Sequence, residues 1–210
     1  MAKIELTCGK AEDHSLSADL ILTDPQFDME GKKLRTIIDN QQCNHLVLIT
    51  TMRQLLDFMS APGWELSFDF VLDAVAPKKS RNLSQPNYTH QTGVYLYRTG
   101  EKSLFNRKLR QRSDVFEANG YWPTIFHAPR ERMQEHGMAK NADAITDLLG
   151  SFNNISSVAD PFAGSGTTAI AAFELDIDCK LIEFDEKYCR DIIKIFSFMG
   201  AKLTTHGLNI

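Results

Sequence analysis

Apolar positions recur along this chain with two periods, and the switches between them mark its elements. Lys3 to Thr7 alternates as a short strand and is closed by a turn at CGK, residues 8–10. Asp19 to Thr23 is a second strand. HLVLITT, residues 45–51, is a third, with the unbroken apolar run of a strand covered on both faces. Helical spacing predicts helices over Leu34–Asp39 and Met52–Met59, the latter stopped by Pro62-Gly63. WELSFDFVLD, residues 64–73, and GVYLYR, residues 93–98, read as strands that neighbour each other antiparallel near one edge. Residues 77–92 and 99–135 are polar and broken by Pro86, Gly100, Gly120, Pro123 and Pro129, which makes them loops or a small insertion. A helix returns from Asn141 to Leu149, and residues 156–196 then run strand, glycine turn, helix, strand, helix. Strands and helices that alternate in this way argue for a three-layer α/β domain with a mostly parallel sheet.

Length and composition narrow the class. The 210 residues make one domain, with residues 77–135 as a loop-rich insertion, and 43% hydrophobic content suits a packed core. No apolar run approaches the ~20 residues of a membrane span. The first residues carry an acid, Glu5, and no apolar signal region, so a cytoplasmic protein is expected. Cys8, Cys43, Cys179 and Cys189 show no C-x-x-C spacing and no pairing with histidine, so four reduced thiols and no metal site are expected.

Charge changes the picture more. The net −4 conceals a segment from Pro77 to Arg112 with nine basic residues, including Lys78, Lys79, Arg81, Arg107, Lys108, Arg110 and Arg112, against the single acid Glu101. That segment carries +8 and the remainder −12. Such a block is either a solvated face or a surface for a polyanion, because neutralised phosphates release counterions. Tyr88, Tyr95, Tyr97 and Phe105 interleave with it.

The candidate chemistry lies in two places. DPFAGSGTTAIAA, residues 160–172, takes a strand through a turn at Gly164 and Gly166 into a helix of small residues. Without a Cβ at those positions a ligand can lie against the main chain near free helix N–H groups, and Ser165, Thr167 and Thr168 stand where capping hydroxyls belong. Many ligand-free α/β turns also carry G-x-G. The next strand, however, ends in Glu183, about twenty residues on, where nucleotide-binding folds place an acid for ribose hydroxyls. No lysine follows the second glycine as a P-loop requires, and the third glycine of the dinucleotide fingerprint is missing. A nucleoside cofactor without a pyrophosphate fits best.

The second place is ADLILTDPQFDM, residues 18–29, a buried strand that ends in a carboxylate and a ring. With DPFAGSGTT downstream, TDPQF resembles the catalytic D/N/S-P-P-Y/F/W signature of the S-adenosylmethionine-dependent DNA amino-methyltransferases. The order of the two is that of the circularly permuted β-type. HGMAKNADAITDLL, residues 136–149, is similar to that family's H-P-T-x-K-P block. YTHQTGVYLYR, residues 88–98, resembles its hE-x-i-l-x-f-x-K strand, and IELTCGKAEDHSL, residues 4–16, its opening i-x-l-x-G-D-a block.

The resemblance implies a Rossmann-like sheet of seven strands, mostly parallel with one antiparallel edge strand, and a small target-recognition insertion. It implies methyl transfer from S-adenosylmethionine to an exocyclic amine of a base in double-stranded DNA. Adenine N6 is favoured over cytosine N4 because an aspartate opens the signature. Asp24 and the carbonyl of Pro25 would take the amine hydrogens, Gln26 would complete the loop, and Phe27 would stack on a base taken out of the duplex. Asp160, Phe162, Gly164, Ser165, Gly166, Thr167, Thr168 and Glu183 would hold the cofactor, with His136 and Lys140 at its carboxylate. The basic segment would clamp phosphates, and a recognition region this short suits a homodimer.

Three positions depart from the family pattern: Gln26 for a proline, Lys10 for an acid and Asn141 for a proline. They motivate a second reading, a catalytically silent binding protein on the same scaffold. Methylation of RNA is a third. Trp122 and His127, in the loop before the His136 block, are candidates for stacking or for packing.

Overall fold

The computed structural model describes residues 2–73, 84, 90–106, 124–127 and 142–208, with the backbone alone at Asp73 and His127. One sheet runs through the molecule. Its strands are β1 (Ile4–Cys8), β2 (Leu20–Thr23), β3 (His45–Thr50), β4 (Trp64–Asp73), β5 (Gln91–Arg98), β6 (Ile125–His127), β7 (Ser157–Asp160), β8 (Asp178–Glu183) and β9 (Leu203–His206). They lie in the order β6-β4-β5-β3-β2-β7-β8-β1-β9. Among the described residues only β5 runs antiparallel to its neighbours.

Two expectations are corrected here. The sheet has nine strands among the described residues rather than seven, and the antiparallel strand sits inside it, between β3 and β4. Val94, Tyr95 and Leu96 are buried in succession, as in a strand with partners on both sides. The extra strands are β6, within a stretch read as loop, and β9, which follows the last predicted helix. Both are short, and a run of three or four residues gives period-two patterning little room to show.

Helices cover both faces. α1 (Gly31–Asp39) and α2 (Met52–Phe58) pack Leu34, Ile38, Leu55 and Phe58 against Ile21, Leu46, Leu48 and Val94. On the other face α3 (Ala142–Leu149), α4 (Thr167–Glu174) and α5 (Glu186–Phe198) bring Ile145, Ala169, Ile192 and Phe196 to Leu22, Val47, Ile49 and Leu181. This is the three-layer arrangement the alternation predicts. Among the described residues no helix is long and apolar enough to cross a membrane, and all four cysteines are free thiols.

The contact that matters most joins strands far apart in sequence. β2 pairs with β7 in parallel, Leu20 opposite Val158 and Ile21 opposite Ala159. At the amino ends one oxygen of Asp19 accepts from the backbone N–H groups of Ser156 at 2.8 Å and Ser157 at 2.9 Å, and from both hydroxyls. At the carboxyl ends the Thr23 hydroxyl donates to Asp160 at 2.7 Å. With both ends of the pair fixed, the tip after β2 stands beside the tip after β7. Parallel sheets bind their ligands beyond the carboxyl ends of the strands.

Candidate active site

A cleft of about 550 Å³ opens at that edge. Its wall includes Asp24, Pro25, Gln26 and Phe27 from the β2 tip, and Asp160, Phe162, Gly164, Ser165, Thr167 and Thr168 from the glycine turn. Glu183, from the end of β8, lies in the same wall. The two stretches singled out in the sequence therefore share one cavity.

The glycine turn is built differently from the expectation. Gly164 takes a left-handed φ of 51°, and Gly166, at φ 80°, is the N-cap of α4. No side chain caps that helix. Ser165 and Thr167 bond each other through their hydroxyls at 3.1 Å, and Thr168 turns back to donate to Asp160 at 2.7 Å. Gly166 stands behind the cleft wall, where a Cβ would lie 3.0 Å from Ile192 Cγ1. Its absent side chain serves helix packing and backbone conformation.

Asp160 and Glu183 organise the turn. Asp160 is 4% exposed and accepts from Thr23, Thr168 and the Phe162 N–H. Burial pushes its pKa up to about 6, against those three bonds, and the nearby Asp24 carboxylate acts in the same direction. Glu183 accepts the Gly164 N–H at 2.7 Å on one oxygen and the Asp185 N–H at 2.9 Å on the other. Burial raises its pKa too, opposed by the same two N–H groups. The acid read from the sequence as a ribose acceptor is, in the structure, the clasp of the glycine turn.

Asp160 has a consequence for stability. Its folded pKa of about 6 lies above the ordinary 3.8, so the folded state binds its proton more tightly than the unfolded chain does. Stability therefore falls as pH rises from about 4 through 6, by roughly 3 kcal/mol for this group. Urea unfolding of Asp160→Asn, which has no proton to lose, should show a stability gain over wild type that grows by that amount between pH 4 and 7. A constant difference would mean that Asp160 titrates as a solvent-exposed acid.

Other contributors to the site were not singled out in the sequence. Gln54, buried in α2, donates to the main-chain carbonyls of Gln26 at 3.0 Å and Met29 at 2.9 Å. Its own carbonyl accepts from Thr50 at 2.6 Å. It therefore fixes the loop in which Gln26 stands for a stiffening proline. The available clue was a polar residue beside Leu55 on the buried stripe of a helix. Glu12 and Lys33 form a 2.7 Å ion pair, and both line the cleft. Phe184, directly after Glu183, is 60% exposed and lines it as well. Lys10, one of the departures, also belongs to the wall.

His136, Lys140 and Asn141, Trp122, and Lys78, Lys79, Arg81, Arg107, Lys108, Arg110 and Arg112 fall outside the described residues. His127 is the last residue of β6. Arg98, counted in the basic segment, is at the opposite end of the sheet. It pairs with Asp39 at 2.8 Å and lies 4.1 Å over the Trp64 ring.

The model of a protein family described as DNA methylase, grouping the N6 and N4 methyltransferases, matches residues 66–194. The chain belongs to that family. Solved structures share the fold of this DNA methylase. The complex of M1.HpyAVI with SAM superposes with a TM-score of 0.70 at 19% identity, covering 91% of this chain and 99% of that one. The putative DNA modification methylase TTHA0409 of Thermus thermophilus, complexed with S-adenosyl-L-methionine, superposes at 0.70 and 16% identity, over 98% and 99%. PvuII DNA methyltransferase, cytosine-N4-specific, superposes at 0.69 and 12%, over 95% and 94%. No curated protein matches the DNA methylase by sequence.

Proposed function

We propose that this DNA methylase transfers a methyl group from S-adenosyl-L-methionine to the exocyclic N6 of adenine in double-stranded DNA. The observation that carries the reading is the shared cleft, in which the Asp24-Pro25-Gln26-Phe27 tip faces the glycine turn. The cavity has the size of a small-molecule site.

When bound, the donor supplies an electrophilic methyl on a sulfonium. The chain does the positioning. Asp160, Phe162, Gly164, Ser165, Thr167, Thr168 and Glu183 form its side of the cleft, and His136 and Lys140 are assigned to its carboxylate end by their place in the family block. Asp24 and the Pro25 carbonyl accept the hydrogens of the target amine, whose lone pair is otherwise delocalised into the ring, and Phe27 stacks on the extruded base. Gln54 keeps that loop in register. Gln54→Ala should lower the transfer rate about tenfold and leave donor affinity unchanged, since a misplaced loop costs orientation. An unaltered rate would show that the loop holds itself.

We assign the parts of residues 77–135 outside β5 and β6 to target recognition, with Lys78, Lys79, Arg81, Arg107, Lys108, Arg110 and Arg112 on phosphates. β4 ends and β5 begins at the cleft edge of the sheet, so the first three basic residues belong to a connection that leaves and re-enters beside the site. DNA affinity should then fall steeply with salt, with a log–log slope of several units. A flat response would remove the phosphate role.

Tritiated methyl transfer to unmethylated DNA, followed by nucleoside chromatography, tests the whole reading. N6-methyladenine is the expected product. N4-methylcytosine would move the assignment to cytosine, and no incorporation with donor binding also absent would support the silent homologue that Gln26, Lys10 and Asn141 suggest.

A further inference from the structure

Among the described residues the buried carboxamides are hydrogen-bonded at both ends, with one exception. Gln54 makes three hydrogen bonds. Gln41 accepts from the Leu16 N–H at 2.8 Å and donates to the Ile37 carbonyl at 2.8 Å. Gln91 is 5% exposed, and among the described residues neither its Nε2 nor its Oε1 has a hydrogen-bond partner. Leaving a buried polar group unpaired is costly, and native interiors seldom tolerate it without a use.

Its place suggests the use. Gln91 opens β5, at the edge where the parallel strands end. Thr92 pairs with Thr50 and Gly93 with Ile49, so strand alternation sets Gln91 on the same face as Ile49, one step nearer the cleft edge. Ile49 already lines the cleft, and Gln91 is a covered neighbour outside the wall itself. From β5 to β2 is two strand spacings, about 10 Å, which is a base ring with a hydrogen bond at each side. Asp24 lies at the far end of that span.

We propose that Gln91 reads the ring edge of the target base whose amine is held at Asp24. Its Nε2 donates to the ring nitrogen that flanks the amine, N1 of adenine, and its Oε1 faces the adjoining C–H. Cytosine presents N3 and then the O2 carbonyl along the same edge, and O2 would meet Oε1 with like charge. The carboxamide therefore favours adenine. This inference rests on the methyltransferase reading above and adds the residue that senses base identity.

The test is a two-by-two cycle on the full-length protein. Wild type and Gln91→Leu are each assayed on duplexes carrying adenine or 1-deazaadenine at the methylated position, after that position is mapped with wild type. Gln91→Leu should lower kcat/KM on adenine ten- to a hundredfold, with donor Kd within twofold and thermal stability at or above wild type. The 1-deaza substitution, which removes the N1 acceptor, should cost wild type about tenfold more than it costs Gln91→Leu. Equal costs in the two proteins overturn the assignment and leave Gln91 a packing residue that an interior water satisfies. Should Gln91→Leu fail to bind the donor, Gln91→Met, closer in shape, takes its place in the cycle with the same criterion. A wild type inactive on every DNA overturns the methyltransferase reading and this inference with it; an active one with equal costs overturns this inference alone.

Discussion

Asp24→Ala is expected to reduce methyl transfer about a thousandfold while donor Kd stays within a few-fold. The magnitude follows from what the side chain does. A preorganised acceptor aimed at charge that develops in the transition state is worth about 10²–10³ in rate, and no other group at the β2 tip replaces a carboxylate. Donor affinity should survive because the groups that shape the glycine turn bond one another: Thr23, Thr168 and Phe162 to Asp160, and Gly164 and Asp185 to Glu183. Removing Asp24 also removes a charge that raises the pKa of Asp160, which makes the donor side more anionic. Asp24→Asn should be intermediate, since a carboxamide still accepts one amine hydrogen. Isothermal titration with the donor beside single-turnover transfer separates the two quantities. Loss of donor binding in Asp24→Ala would assign this acid to the cofactor side.

The second large effect is expected from Glu183→Ala. It orphans two N–H groups in a wall where the carboxylate is only 5% exposed. Each such bond to a charged acceptor is worth roughly 1.5–3 kcal/mol, offset in part because burial disfavours the charge. Unfolding free energy should drop by about 3 kcal/mol, and donor Kd should rise tenfold or more because Gly164 loses the partner that holds its left-handed turn. Glu183→Gln keeps one acceptor and should fall between. Weakened donor binding with unchanged unfolding would mean that Glu183 meets the ligand without organising the turn.

Much of the site is local in origin and was readable in the chain. Gly164 and Gly166 announce a turn because few other residues reach φ of 51° and 80° without strain. Asp24 and Phe27 follow a four-residue strand, and an acid and a ring at a strand end have little structural reason to be there. Glu183 closes β8 in the same way. Periodicity located the long elements for the same reason, since period two and period 3.6 are properties of neighbouring residues.

Capping was less readable. Ser165, Thr167 and Thr168 have the chemistry of caps, yet the structure gives Thr168 to Asp160 and the cap to Gly166. A hydroxyl bonds whichever acceptor the fold brings near. The same holds for Gln54, whose partners at Gln26 and Met29 lie 28 and 25 positions away.

The amino-acid order by itself determined that this protein has a carboxylate-and-ring tip, a glycine turn, an acid to follow it and a basic stretch, because each is a run of neighbours with its own conformational rule. Only the tertiary structure decided that the tip and the turn face each other, that β5 lies inside the sheet, and that Gln91 is buried without a partner among the described residues. Strand order is settled by contacts such as Thr23 to Asp160, 137 positions apart, and no pattern within either segment encodes the other.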